Sequence, residues 1–583
     1  METAEPSPTS RAIARRASSL IIPLLGAIVV YVASPHGLGL SNDSVRYLRI
    51  ADVLRGDQQL GTTYPEYMRH FPPGYPALLA AGRFIGLSNV TMGLALNVLA
   101  MALTAFLVVR ILQRLCYGAI WPGVIGGALL VVSHVTLTMH LQIWSEPAFQ
   151  VLFLITIAML ARQVDAPTRR RAVLLALVVA ASTMVRYAGA SLIVLSTVTL
   201  LFAQRSTWKN RMIDCAIFSI IAVAPLLLLA VYNQYRTGDA VDREFRYYGL
   251  YQVQFREAWM TTATWIFPEH KNPPWRRNWE FLAVIVAFCA VVVSRMRIRR
   301  RARARGPYIR PPLPRFVRLA LLFCTVYLVI LFVSLSFIDP ATPLDDRILS
   351  PIYLLAIVVG TFGVYRALTL TGAMSAPRAG KIVTGILLAA FVATTAARGY
   401  EVFAYSRREG FGYMNWRWRE SELMQVIRAI PDSTLVYTNV PDAVYFYTSN
   451  PSRLIPTDNP QPWARHSTQS RAQLQDTQRR MSKEGAVIAL FYGTADTRFR
   501  RGSQSSAELE QTLNARRAVN CDDGMLMIPE NASAKVREFV DQASRAVIGA
   551  RKTQPTTIPR TDQSAQPSTQ PSTRKSNKAP RAQ

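Results

Sequence analysis

Asp43 follows the first long apolar run, in the polar stretch Ser41-Asn42-Asp43-Ser44-Val45-Arg46-Tyr47-Leu48, and Glu146 heads a later apolar run in Trp144-Ser145-Glu146-Pro147. A carboxylate within hydrogen-bond reach of a hydroxyl can act as its general base. Arg186 lies between two short apolar segments in Arg186-Tyr187-Ala188-Gly189, and Arg347 closes Asp345-Asp346-Arg347 shortly before Pro351 and another apolar run. Guanidinium groups hold phosphate oxygens through paired, charge-assisted hydrogen bonds. Carboxylates that accept a proton and arginines that steady a phosphate suit transfer of a group from a phosphate-linked donor to a hydroxyl. Asp43 is the first candidate for the base. Glu146 is the second, as a base partner or as an orienter of the acceptor. Arg186 and Arg347 are the candidates for the donor phosphate, with Arg46 and Arg69 behind them. Tyr47, Tyr75, Tyr187 and Asp346 are candidates for positioning substrate.

Each position also has a plainer reading. Asp43 suits the N-cap of a helix running from Val45 to Leu54. Glu146 before Pro147 suits a first helical turn, where a carboxylate complements the dipole. Asp346 and Arg347 can pair with one another, and any interfacial charge can reach water along its own stem. Ionisable groups at membrane depth are costly, however, and here four sites fall at span ends on one expected side.

The elements that would position them are apolar. Runs of roughly 18 or more apolar residues suit a ~30 Å hydrocarbon core. They are expected as spans near 19–35, 90–109, 118–138, 144–161, 172–185, 188–203, 212–232, 278–296, 317–337, 348–367 and 381–397. The reading is therefore a mostly α polytopic protein of about eleven spans. Segments 172–185 and 188–203 are short enough to be one bent or re-entrant element, and 73–87, interrupted by Arg83, suits a helix near the interface.

The net charge is +30, and it is concentrated in a few loops. Arg11, Arg15 and Arg16 precede the first span, and Arg169, Arg170 and Arg171, then Arg205, Lys209 and Arg211, mark two further loops. Ten arginines between Arg295 and Arg318 have no acidic residue among them. With this span list all these loops share one side. That is the positive-inside pattern; it places the N-terminus in the cytoplasm and argues against nucleic acid as the partner. External loops are then expected at 36–72, 236–277 and 338–347. The N-terminal lead, residues 1–18, reads as cytoplasmic, and the first span as an uncleaved signal anchor.

Beyond the multi-span domain at 19–397, residues 398–545 read as a small extracytoplasmic α/β domain. Helices are expected at Trp416–Ile430, Asp442–Tyr447, Gln469–Lys483 and Ser505–Arg517. Strands are expected at Leu435–Tyr437, Ala486–Tyr492 and Met525–Ile528. No glycine-rich nucleotide motif occurs in it. Residues 551–583, rich in Gln, Pro, Thr, Ser and basic residues, read as a disordered basic tail. The five cysteines have neither zinc nor redox spacing. No cofactor is expected. A divalent metal held by one of the six histidines with Asp43 or Glu146 is conceivable, but no tight spacing supports it.

In order and sidedness, five pieces resemble the GT-C superfamily of integral-membrane glycosyltransferases, of the protein O-mannosyltransferase and aminoarabinose-transferase type. They are Asn42-Asp43 with Tyr47, Phe71-Pro72-Pro73-Gly74-Tyr75-Pro76, Ser145-Glu146-Pro147, Arg186-Tyr187-Ala188-Gly189, and Asp346-Arg347 with Pro351. The resemblance spans roughly residues 19–397. It implies a polyprenyl-phosphate-linked sugar donor, a glycan, lipid or protein acceptor, single displacement with inversion, and a site on the extracytoplasmic face of the cell membrane. Many members carry two adjacent acidic residues in the first loop; here the pair is Asn42-Asp43, which weakens any metal role. A flippase for lipid-linked glycans and a non-catalytic scaffold are the competing readings. Neither paired repeats nor midplane charges favour the former.

Overall fold

The structure, a computed structural model, describes residues 8–56, 69–202, 207–240, 245–249, 252–267, 313–340, 342–369, 378–455, 476–480, 485–493, 515–530, 534, 537–542 and 545. The span expected at 278–296, most of the arginine loop at 295–318 and the tail at 551–583 lie outside these residues. The chain divides into two compact units, Met1–Met414 and Asn415–Gln583.

The first unit is built from helices. Seven described helices are long and apolar enough to cross a membrane. The helices of this unit are α1 (Pro8–Val32), α2 (Asn42–Arg55), α3 (Gly74–Ala80), α4 (Asn89–Leu115), α5 (Ile120–Val132), α6 (His134–His140), α7 (Glu146–Asp165), α8 (Arg169–Val185), α9 (Ala190–Leu201), α10 (Trp208–Thr237), α11 (Gln252–Thr264), α12 (Arg315–Phe337), α13 (Asp346–Thr369) and α14 (Arg378–Glu409), among the described residues. Helices α1, α4, α7, α10, α12, α13 and α14 coincide with seven of the expected spans.

The others differ for local reasons. The run expected at 118–138 is two helices, α5 and α6, bent by 59° at the break between them. Ser133 causes the break, because its backbone is extended and its side chain caps α6 by accepting from Thr136 N. Segments 172–185 and 188–203 are two helices separated at Arg186, whose backbone is extended (φ −156°, ψ 131°), followed by a 3₁₀ turn, Tyr187–Gly189. Segment 73–87 begins as α3 and tightens into a 3₁₀ turn, Ala81–Ile85. Helix α14 runs to Glu409, so the expected domain boundary at 397 falls inside it.

The second unit holds a five-stranded sheet in the order β2-β1-β3-β5-β4, formed by β1 (Val436–Thr438), β2 (Ser452–Leu454), β3 (Val487–Phe491), β4 (Ala515–Asn520) and β5 (Gly524–Pro529). Strands β2, β1 and β3 are parallel, and β3, β5 and β4 antiparallel. Tyr437, Ile488, Leu490, Met525 and Met527 form its core. Two expectations are corrected here. The C-terminal part of the helix expected at 505–517 is the edge strand β4, where pairing with β5 overrides the helical reading of Ala515-Arg516-Arg517. The helix expected at 416–430 is two helices, Trp416–Arg419 and Glu422–Arg428, because Ser421 caps the second by accepting from Met424 N at 3.0 Å.

The protein is thus a mostly α-helical, polytopic membrane protein with a small sheet.

Candidate active site

Four elements deliver charge to one place. Arg347, in the first turn of α13, donates from Nη1 to Asp43 Oδ2 at 2.5 Å and from Nε to Glu146 Oε1. Arg186 donates from Nη1 to the same Glu146 oxygen, and lies 3.4 Å from Ser145 Oγ. The order is Asp43–Arg347–Glu146–Arg186, alternating in sign. Glu146 is 1% exposed, Arg347 20% and Asp43 23%. A buried carboxylate requires partners of this kind. Below Arg347 lies the Trp144 ring, 4.8 Å from the guanidinium carbon.

Local sequence explains each placement. Ser41, not Asp43, is the N-cap of α2. Ser41 Oγ accepts from Ser44 N, and Ser44 Oγ accepts from Ser41 N at 2.9 Å, a reciprocal capping box. Asp43 therefore occupies the first helical turn with its carboxylate turned to Arg347. Glu146 occupies the first turn of α7, with Pro147 beside it. Asp346 and Arg347 do not pair: neighbours on a helix point about 100° apart, and Asp346 accepts from Trp265 Nε1 at 2.8 Å instead.

The preceding loops are tied together. Gly39 N donates to Leu141 O at 2.8 Å, Ile143 N donates to Gly39 O at 3.0 Å, and Tyr413 N donates to Leu40 O at 2.8 Å. Trp144 Nε1 donates to Ser41 Oγ at 2.8 Å. Any Cβ on Gly39 would fall 2.4 Å from the Phe411 side chain. Gly74 sets α3 against the end of α8, where a Cβ would meet Met184 O at 2.5 Å, two residues before Arg186.

Tyrosines line the network. Tyr47 OH lies 3.3 Å from Ser145 Oγ, and its ring packs edge-on to Phe71 at 4.8 Å and Tyr75 at 5.1 Å. Tyr75 is fully buried, and its hydroxyl has no hydrogen-bond partner among the described residues. Tyr187 lies in the 3₁₀ turn after Arg186 and is 39% exposed. Arg46 is near enough to Asp43 to act on its charge. Arg69 donates to Asp239 at 2.9 Å.

The electrostatics follow from this geometry. Burial by itself would raise Asp43, but the adjacent Arg347 outweighs it, with Arg46 and His70 contributing, and holds the carboxyl below its ordinary range. Burial and then the charge of Asp43 raise the Tyr47 phenol, and burial raises Tyr75. Asp345, which accepts from Ile348 N at 3.0 Å, is pushed up to about 6, chiefly by burial, against the lowering effect of that hydrogen bond and of Arg347.

Sequence reasoning missed Trp144 as the platform under Arg347, although it adjoins Ser145-Glu146; it also missed Ser145 as the hub for Tyr47 and Arg186. No histidine joins Asp43 and Glu146 as a metal-ligand group among the described residues. His134 accepts from Arg398 at 2.7 Å, and His140 Nδ1 lies 2.9 Å from Thr136 O. The described residues gather Glu422, Cys521 and Asp523 elsewhere, at the N-terminus of a short helix in the second unit.

No protein-family model matches the chain, and no curated protein matches it. Among solved structures it is similar to the ArnT of Cupriavidus metallidurans bound to undecaprenyl phosphate, with 13% identity and a TM-score of 0.51 over 90% of this chain and 100% of that one. The apo state of that ArnT gives 12% identity and a TM-score of 0.48 over 90% and 99%. The mycobacterial arabinofuranosyltransferase AftD gives 12% and 0.49 over 91% of this chain and 42% of that one. At such identities the likeness is one of fold, and the first match carries it. The chain is a polytopic membrane protein that shares its fold with that ArnT.

Proposed function

We propose that this protein transfers a sugar from a polyprenyl-phosphate-linked donor to a hydroxyl of a glycan, lipid or protein acceptor at the extracytoplasmic face of the cell membrane, with inversion at the anomeric carbon. The observation that carries this reading is the meeting of two carboxylates and two guanidiniums from four separate elements. The undecaprenyl phosphate bound in the similar ArnT supports a donor of that class.

The resting network suggests how the steps connect. Arg186 and Arg347 commit Nη1, and Nε with Nη1, to carboxylates. A guanidinium has five N–H groups, so each retains donors for phosphate oxygens. Turning Arg347 toward an arriving phosphate removes the main charge that holds Asp43 low, and the carboxylate becomes a stronger base as the donor docks. Asp43 then takes the acceptor O–H proton, the acceptor oxygen bonds to the anomeric carbon, and the bond to phosphate oxygen breaks with its electron pair. The phosphate leaves on Arg186 and Arg347, where its charge is stabilised. Glu146 orients both arginines and remains the second candidate for base. The Tyr75 hydroxyl, without a hydrogen-bond partner among the described residues and beside Tyr47, supports a role in positioning substrate, and Tyr47 has the same role through Ser145. Tyr187, Arg46 and Asp346 border the network, whereas the contact to Asp239 weakens the case for Arg69. The basic loops support a cytoplasmic N-terminus.

The test is release of free polyprenyl phosphate from a panel of labelled polyprenyl-phosphate sugars, using protein in lipid nanodiscs with envelope extract as acceptor. Turnover of one donor by the wild type, lost in Asp43→Asn, supports the reading. Correctly folded wild type that consumes no donor overturns it.

A further inference from the structure

A second convergence of arginines lies at the other end of the same helices. Arg162 is four and a half turns beyond Glu146 on α7, about 24 Å along the axis. Arg110 and Arg114 sit one turn apart near the end of α4, which packs on α7. Arg114 lies within Coulombic reach of both Arg162 and Arg110. The carboxylates at this end are already engaged: Asp165 pairs with Arg315, and Asp214 faces Arg169 at 3.9 Å. Arg110 donates to Gln113 Oε1 at 3.4 Å, and the side chains of Arg114 and Arg162 have no carboxylate partner among the described residues.

This end also carries the aromatic marks of a membrane interface. Tyr117, just past α4, is 83% exposed, and Trp121 on α5 packs against Tyr365 on α13 with ring centroids 5.7 Å apart. Basic loops orient a membrane protein by their number, and need no convergence. Three like charges brought near one another from two helices repel, and an anion shared among them relieves that repulsion. Arginine forks match a phosphodiester, and basic pockets between spans are suited to anionic headgroups.

We propose that Arg110, Arg114 and Arg162 form a headgroup site for an anionic phospholipid of the surrounding bilayer, with the phosphate held between Arg114 and Arg162 and Arg110 behind it. Arg114 and Arg162 are exposed, so substitution there leaves the helix packing intact. The site is separate from the Asp43 network and does not depend on its chemistry.

The test uses the full-length protein in detergent, with native mass spectrometry to count retained lipid during titration with phosphatidylglycerol or phosphatidylcholine of the same acyl chains. Arg114→Gln and Arg162→Gln are each expected to weaken phosphatidylglycerol retention about fivefold, and the pair about thirtyfold. Arg170→Gln, a third exposed arginine at this end, is expected to change little. Equal losses from Arg170→Gln overturn the site in favour of diffuse surface charge. Unchanged retention in the double variant, or no preference over phosphatidylcholine in the wild type, also overturns it. Glycerol 3-phosphate is included as a competitor. Displacement of the lipid at micromolar levels assigns the arginines to a soluble phosphate and overturns the lipid assignment; the expected result is no displacement.

Discussion

Arg347 Nη1 and Asp43 Oδ2 are 2.5 Å apart although 304 positions separate them in sequence. That contact closes a chain of charges whose other end is Arg186. It ties the first helix turn after α1 to the first turn of α13, so the carboxylate proposed as base is held, ionised, against a group proposed to bind the leaving phosphate.

Asp43→Asn is the direct consequence. Asparagine keeps the shape and can still accept from Arg347, so the fold is expected to persist. It has no carboxylate to take a proton, and transfer is expected to fall about 10²–10⁴-fold. Polyprenyl phosphate release at saturating donor measures this. Activity within a few-fold of wild type would remove Asp43 from the base role.

Arg347→Met leaves Glu146 with Arg186 alone. Breaking a buried pair by removing one partner costs about 3–5 kcal/mol; here Arg186 retains part of the interaction, and about 2 kcal/mol is expected. Glu146→Gln with Arg347→Met restores net neutrality, leaving Asp43 and Arg186, and is expected to recover part of that loss while transfer stays lost. Thermal melts of the two single variants and the double variant give the coupling. A double variant as unstable as the sum of the singles would mean that the two side chains do not interact.

Much of this site could be read from the residues. Asp43, Glu146, Arg186 and Arg347 each stand at the end of an apolar run, and the cost of charge at membrane depth makes such positions informative. The arginine loops are what made a shared side expected for them. What the residues could not give was rotation about each helix axis. Asp346 was read beside Arg347, yet a step of one residue turns it to Trp265. Ser41 rather than Asp43 is the cap, because either side chain can serve and the choice depends on where the chain enters the helix. The break at Ser133 is carried by two polar residues in an apolar run, and β4 looked helical because an exposed edge strand shows only two buried positions, Ala515 and Val519.

Gly74→Ala tests positioning without altering a charged group. Its Cβ would lie 2.5 Å from Met184 O, a backbone atom that cannot turn aside, so α3 must move from the end of α8 and carry Tyr75 with it. A displacement near 1 Å costs on the order of 100-fold in rate. The control is Gly363→Ala, on α13 with nothing within 4 Å of the added carbon, which is expected to leave turnover unchanged and to raise stability by about 0.5–1 kcal/mol. Equal turnover in the two variants would refute the positioning argument.

Asp345 gives the network a pH signature of definite sign. Its folded-state value is about 6 against an ordinary 3.8, raised chiefly by burial. Between these values the folded protein binds more protons at this site than the unfolded chain. Stability contributed by the site therefore falls as pH rises through the window, and the deficit is complete above about 6. Asp345→Asn removes the charge and keeps an oxygen to accept from Ile348 N, as Asp345 does at 3.0 Å. The variant is expected to melt higher than wild type at pH 7.5, with the gap closing toward pH 4. Asp43 acts with the opposite sign: its value is lowered, so the stability it adds is present above the ordinary 3.8 and is lost only in stronger acid. Melting curves of wild type and Asp345→Asn at pH 4.5, 6 and 7.5 separate the two, since Asp43 is common to both proteins and cancels in the difference. A gap that stays constant across that range would show that Asp345 is ionised in the folded protein throughout, and that the burial beside Glu146 does not control it.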